Sequence, residues 1–283
     1  MKKVAILTDS TAYIPSEQME QFDISSVPLQ VIWGQETFDD GITLTPREFY
    51  ERLKMAKVLP TTSQPSVGKI QGTMYSLVSQ GYDVLGIFIS SKLSGTFQSA
   101  TQARDLLPQG SKVEIQDSQT TTLAMGFQVL AAARAAAQGA TLDECCQAAE
   151  NVRINSGVFF MVDTLEYLYR GGRIGGAQRF LGNALGMKPI LYMHEGKIES
   201  LERVRTKSKA LNRLVELVTE KTAGKNSLRL ASAHANSIAD AQAILEKAGL
   251  QLNPVETITA DLSPVIGIHV GPGTIALAYA TEA

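Results

Sequence analysis

The chain has 283 residues, 44% of them hydrophobic and 19% charged, and a formal net charge of -2. That length supports a sizeable core, in one large or two ordinary domains, and the absence of any low-complexity tract excludes a disordered protein. Interleaved acidic and basic residues give no electrostatic footprint for a polyanionic duplex, so nucleic acid is not an expected partner.

The N-terminal basic pair precedes an apolar run, Val4-Ala5-Ile6-Leu7, too short for a signal peptide, and no other segment approaches a membrane span. A cytoplasmic, non-membrane-spanning protein is expected. The only cysteines, Cys145 and Cys146, are adjacent in an alanine-rich stretch where a disulfide would staple almost nothing. They read as reduced packing residues. His194, His234 and His269 have no short ligand spacing with each other or with the cysteines, so no metal site is expected, with clustering in space left open, and no loop matches a P-loop or a full dinucleotide fingerprint, so no cofactor is expected.

In chain order, the first strand is Val4-Leu7, and Thr8-Asp9-Ser10-Thr11 follows it at the edge where ligands gather on parallel sheets. The same four residues can also serve as a polar turn. Thr45-Pro46-Arg47-Glu48 marks a helix start by its capping box. Thr61-Thr62-Ser63-Gln64-Pro65-Ser66 reads as a loop before a helix carrying Val67, Ile70, Met74, Leu77 and Val78 at helical spacing. Ser66 is its N-cap, which leaves the hydroxyls of Thr62 and Ser63 free for a ligand or for solvent.

A second strand, Val84-Ile89, leads through Ser90-Ser91-Lys92-Leu93-Ser94-Gly95-Thr96 into a helix over Phe97-Leu107. Free N–H groups at a helix start favour an anion, and Ser94, Gly95 and Thr96 add hydroxyl donors beside a residue that permits close approach. A plain capping role for Ser94 is the alternative. A strand at Val113-Ile115, an alanine-rich helix from Thr120 and a second capping box, Thr141-Leu142-Asp143-Glu144, complete an alternation that predicts a parallel sheet flanked by helices.

The second half changes character. A strand at Val158-Val162 is followed by two helical stretches around the cluster Arg170-Gly171-Gly172-Arg173, then by a hairpin over Pro189-Val204 turning at His194-Glu195-Gly196-Lys197. Arg170, Arg173 and Arg205 can present planar donors to a phosphate or an acidic partner, or can be a solvated surface. A helix through Leu211-Val218, a strand at Leu228-Ser232, a helix at Ile238-Leu245 and strands near Val255-Thr259 and Ile275-Tyr279 finish a mixed α+β unit. His269 precedes a Gly-Pro-Gly turn and reads as a residue beside the last strand, able to donate to a carboxylate or to serve structure. The expected architecture is therefore α/β: an N-terminal domain over 1–156 with a mainly parallel sheet, and a C-terminal α+β domain over 157–283 with a mixed sheet. A ligand cleft is expected between them.

Taken together, Thr8-Asp9-Ser10-Thr11, Thr62-Ser63-Gln64-Pro65-Ser66, Leu93-Ser94-Gly95-Thr96, Arg170-Gly171-Gly172-Arg173-Ile174, Lys188-Pro189-Ile190-Leu191 and His269-Val270-Gly271-Pro272-Gly273 resemble the bacterial DegV family, in order and nearly from end to end. The resemblance implies a buried long-chain fatty acid, such as palmitate, whose carboxylate is held by Thr62 and Ser94 with His269 joining the network. It also implies that the carrier presents this carboxylate to a separate fatty-acid kinase, with Arg170, Arg173 and Arg205 at positions for the partner or the phosphate, and performs no bond-making step itself. Two other classes stay open. One is a serine esterase or thioesterase using Ser94; no Gly-x-Ser-x-Gly elbow is present, but a scattered triad with His269 and Asp9 is compatible with the sequence. The other is a lipid-sensing adaptor, whose low net charge argues against direct DNA contact.

Overall fold

In a computed structural model, residues 3–181 and 186–282 are described. The chain opens with β1 (Val4–Asp9), a 3-10 turn over Ser10–Ala12, α1 (Ser16–Gln21), β2 (Ser25–Val27), β3 (Gln30–Trp33), β4 (Glu36–Asp39) and α2 (Pro46–Lys54). It continues through β5 (Thr61–Ser63), α3 (Val67–Ser79), β6 (Asp83–Phe88), α4 (Thr96–Asp105), β7 (Val113–Asp117), α5 (Thr122–Ala137) and α6 (Leu142–Ile154). The second half runs β8 (Ser156–Met161), α7 (Glu166–Arg170), a 3-10 helix over Gly175–Phe180, β9 (Lys188–His194), β10 (Lys197–Val204), α8 (Lys207–Thr222), β11 (Asn226–His234), α9 (Ile238–Leu252), β12 (Glu256–Asp261), α10 (Pro264–Val270) and β13 (Ile275–Glu282). The helical stretch expected after the glycine cluster is the 3-10 helix over Gly175–Phe180.

The fold is α/β, with an N-terminal parallel sheet flanked by helices and a C-terminal mixed sheet. The first sheet has the order β2-β1-β6-β7 and every pairing in it is parallel. Parallel sheets are covered on both faces, which is why β6 is buried throughout. Leu85 and Ile87 enter the main core, while Val84 and Phe88 face α3 and α4 with Ile70, Met74 and Ala100. Both capping boxes form as the sequence predicts, Thr45 with Glu48 on α2 and Thr141 with Glu144 on α6.

The second sheet has the order β10-β9-β8-β13-β11-β12, antiparallel except for β11 and β12. Its strands obey the period of two. Phe159 and Met161, with Leu277 and Leu230, pack under α8 and α9, whereas Val158, Phe160 and Val162, with Ala276 and Ala278, turn toward the rest of the molecule. Small residues on that inner face let the alanine-rich α5 approach β11 and β13.

Besides α1 and β2, which the sequence reading did not give, two features depart from it. A third sheet, β4-β3-β5, is antiparallel and occupies part of the first half, so Thr61–Ser63 is an edge strand rather than loop. Its strands are three or four residues long and β4 reads Glu36-Thr37-Phe38-Asp39, too short and too polar to register as a periodic run. His269 sits in the last turn of α10, not beside a strand. That helix spans seven mostly buried residues, and a short apolar run carries no helical periodicity.

Candidate functional site

A cavity opens between the elements of the first half and the inner face of the mixed sheet. It contains about 840 Å³ of empty space counted to the surrounding atoms and including its mouth. Most of its wall is apolar: Leu29, Ile89 and Leu93 on one side, Val158, Phe160 and Ala276 on the sheet. A polar group interrupts this wall, formed by Thr62, Ser63, Gln64, Ser94, Arg173 and His269.

Each polar residue is placed by its backbone. Thr62 is set by the antiparallel pairing of β5 with β3, in which Val31 lies opposite it. Ser94 precedes α4, its hydroxyl paired with Thr96 Oγ1 at 2.9 Å and accepting from the Thr96 N–H at 3.3 Å. Thr96 is fully buried beneath this contact and Gly95 is the N-cap of α4, so both support Ser94 rather than line the cavity. A Cβ on Gly95 would stand 3.1 Å from the Gln64 carboxamide, so glycine lets that side chain lie against the loop. The sequence reading passed over Gln64, although it stands inside a motif already singled out.

His269 Nε2 lies 2.9 Å from Thr62 Oγ1, and Nδ1 is buried without a partner. The ring packs on the backbone of Gly171, where a Cβ would sit 2.2 Å from Nδ1, so that position must be glycine. α10 is anchored at its start by Asp40, which accepts from Ser10 Oγ at 2.7 Å, Ser263 Oγ at 2.8 Å and the Val265 N–H at 3.0 Å. Burial pushes the Asp40 carboxyl up to about 6 against these donors. Asp40 thereby joins the end of β1, β4 and the start of the helix that carries His269, and no motif in the sequence marks it. Asp9 also serves structure, accepting from the Thr11 N–H and hydroxyl and from the Ile89 N–H at 2.8 Å.

Arg173 carries the full positive charge among the described lining residues. Its Nε donates to the Leu93 carbonyl at 3.1 Å and Nη1 to the Gly171 carbonyl at 2.7 Å, so it clamps the Ser94 loop to the glycine turn. Arg170 is exposed and pairs with Glu166 one helical turn away, and Arg205 is exposed after β10; neither lines the cavity. Among the described residues no cluster of three metal-ligating side chains exists, and no helix is long and apolar enough to cross a membrane.

Desolvation, then the neighbouring Arg173, depress the His269 imidazole to about 4, so it is neutral at pH 7. Neutral imidazole, hydroxyls and one guanidinium make a donor set suited to a single carboxylate. They do not form a hydrolytic triad: Ser94 bonds Thr96, His269 bonds Thr62, and Asp9 bonds Thr11 and Ile89.

The depressed value gives a signed prediction. Between pH 6.5, the ordinary value, and about 4, the unfolded chain binds a proton on His269 that the folded chain refuses. Stability is therefore lost as pH falls through that window, by at most about 3 kcal/mol given the partial exposure of the ring. Asp40 acts in the opposite sense, since its raised value makes protonation favour the folded state below about 6. The difference between wild type and His269→Gln cancels Asp40. Urea unfolding should show the wild type losing ground to the variant from pH 7 to pH 4, and a pH-independent difference would contradict the burial of a neutral imidazole.

A family model described as "Uncharacterised protein, DegV family" matches residues 3–282. Protein DegV of Bacillus subtilis is 38% identical over 278 residues, 98% of both chains, and a DegV domain-containing protein of Clostridium acetobutylicum is 39% identical over 282 residues, 99% of this chain and 98% of the other. Among solved structures, a DegV family protein from Thermus thermophilus described by its fatty acid binding superposes with a TM-score of 0.93 at 32% identity, covering 99% of each chain. The Bacillus subtilis DegV, described as a fatty acid binding protein, gives 0.91 at 36% identity over the whole of both chains. A stearic acid-binding protein from Eubacterium ventriosum gives 0.91 at 25% identity, covering 99% of this chain and 98% of the other. The chain belongs to the DegV family.

Proposed function

We propose that this protein binds a long-chain fatty acid such as palmitate, its tail in the apolar cavity and its carboxylate at Thr62, Ser94 and His269. The observation that carries this reading is the joining of an apolar cavity to a compact set of neutral donors plus Arg173. The fatty acid binding described for the Thermus thermophilus and Bacillus subtilis relatives supports it. In this reading the chain divides into 1–156 and 157–283, each contributing one wall of the cavity. Ser63, Gly95 and Thr96 shape the head-group loops.

A carboxylate held by hydroxyls and imidazole keeps an oxygen able to attack a phosphoryl group, whereas a lysine clamp would bury that charge. The protein thus acts as a cytoplasmic carrier that offers the carboxylate to a separate fatty-acid kinase, with Arg170 and Arg205 on the outer surface available to that partner and Arg173 reaching toward the phosphate. It makes and breaks no covalent bond. The test is titration of lipid-stripped protein with palmitate and with its methyl ester, alongside an assay for hydrolysis of acyl esters. Palmitate should bind one to one, the ester at least about tenfold more weakly for want of charge-assisted hydrogen bonds, and no ester should be turned over. Turnover that Ser94→Ala abolishes would replace the carrier with the esterase.

A further inference from the structure

Several buried threonine hydroxyls in this chain find partners, although that of Thr120, outside the cavity described above, has none among the described residues. Thr8 donates to the Ile87 carbonyl at 2.8 Å, Thr274 to the Val270 carbonyl at 3.0 Å and Thr222 to the Val218 carbonyl at 2.9 Å. Thr121 and Thr122 do not. They are 8% and 6% exposed, both line the same cavity as the proposed carboxylate site, and the Oγ1 of each is buried with no hydrogen-bond partner among the described residues. An unmet hydroxyl is costly in a folded interior, about 1–3 kcal/mol each, so two side by side call for an occupant.

The backbone strengthens the case. Thr122 has φ +58°, a conformation that disfavours a β-branched residue. Strain of this kind persists where the surrounding structure imposes it, often at a ligand. Thr121 is the N-cap of the sixteen-residue α5, yet its side chain makes no capping bond. Its hydroxyl therefore meets neither a cap nor any other partner among the described residues, and the first-turn N–H groups of α5 add a bias toward an oxygen acceptor. Neither threonine lies near a charged lining residue in sequence, and neutral hydroxyls suit a neutral oxygen better than a second carboxylate.

We propose that Thr121 and Thr122 form a second polar subsite that accepts a hydroxyl group carried on the acyl chain, so that the cavity takes hydroxylated fatty acids as well as plain ones. The inference rests on the fatty-acid reading above and adds a ligand class to it. A ligand hydroxyl can accept from one threonine and donate to the other, which an unsubstituted methylene cannot do.

The experiment titrates lipid-stripped protein with palmitate and with a panel of mid-chain hydroxyhexadecanoates, for wild type, Thr121→Val and Thr122→Val. At least one regioisomer should bind wild type as tightly as palmitate or more tightly. Each valine variant should lower the ratio of hydroxy acid to palmitate affinity about fivefold or more, the loss of one net hydrogen bond, and leave palmitate binding within about twofold. Thr121 has φ -156°, an extended conformation that valine adopts freely, so this variant carries the test even if Thr122→Val does not fold. If every regioisomer binds more weakly than palmitate by a ratio that the variants leave unchanged, the subsite is overturned. Failure of palmitate itself to bind would instead overturn the fatty-acid reading.

Discussion

Dodecanoate should bind roughly 200-fold more weakly than palmitate. Four methylenes separate the two, each contributing about 0.8 kcal/mol when buried in an apolar environment, or about 3 kcal/mol in all. The wall formed by Val158, Phe160 and Ala276 on the sheet and by Leu29, Ile89 and Leu93 opposite offers almost nothing but carbon to the tail. Affinity should therefore rise steadily with chain length until the cavity is filled, then level off. Calorimetric titration of the saturated series from ten to eighteen carbons checks this. Affinity independent of length would mean that the tail lies outside the cavity.

Removing both hydroxyls at the head group should be comparably severe. Hydrogen bonds to a charged group contribute about 1.5–3 kcal/mol each, so Thr62→Ala combined with Ser94→Ala should cost palmitate at least about 3 kcal/mol, a loss of roughly 150-fold or more. The fold should survive, because Thr62 is on an edge strand and Ser94 on a loop, and neither fills the core. The consequence for His269 is separate. Without Thr62 Oγ1 its Nε2 loses its 2.9 Å partner, and Nδ1 already has none, so the imidazole becomes freer to turn. Thermal unfolding of the lipid-free double variant should fall only modestly below wild type. A large drop would assign Thr62 and Ser94 to structure rather than to the ligand.

The sequence disclosed the parallel sheet because short β-branched runs alternate with amphipathic helices. β6 is the clearest case, six buried residues from Asp83 to Phe88. Composition and periodicity marked Thr62, Ser94 and His269 only as separate motifs, and it was the resemblance to the DegV family that grouped them as one expected site. Residue 62 is 207 positions from residue 269, and only the pairing of β5 with β3 and the anchoring of α10 by Asp40 bring them together. The Ser263-Pro264 pair is a helix-start signal that would have revealed α10. Thr121 and Thr122 were hidden by a shift of boundary: an alanine-rich helix starting at Thr120 places them inside a regular turn, whereas α5 begins at Thr122 after an extended Thr121. Asp40 gave no signal because burial makes it important, and burial depends on three elements far apart in the chain.

The most direct test of the central claim is native mass spectrometry of the purified protein, followed by organic extraction of whatever it carries. The account predicts a mass increment of one fatty acid per chain, released as a free acid of about palmitate's length and restored when palmitate is added to stripped protein. A bare mass that does not change on adding palmitate would contradict it.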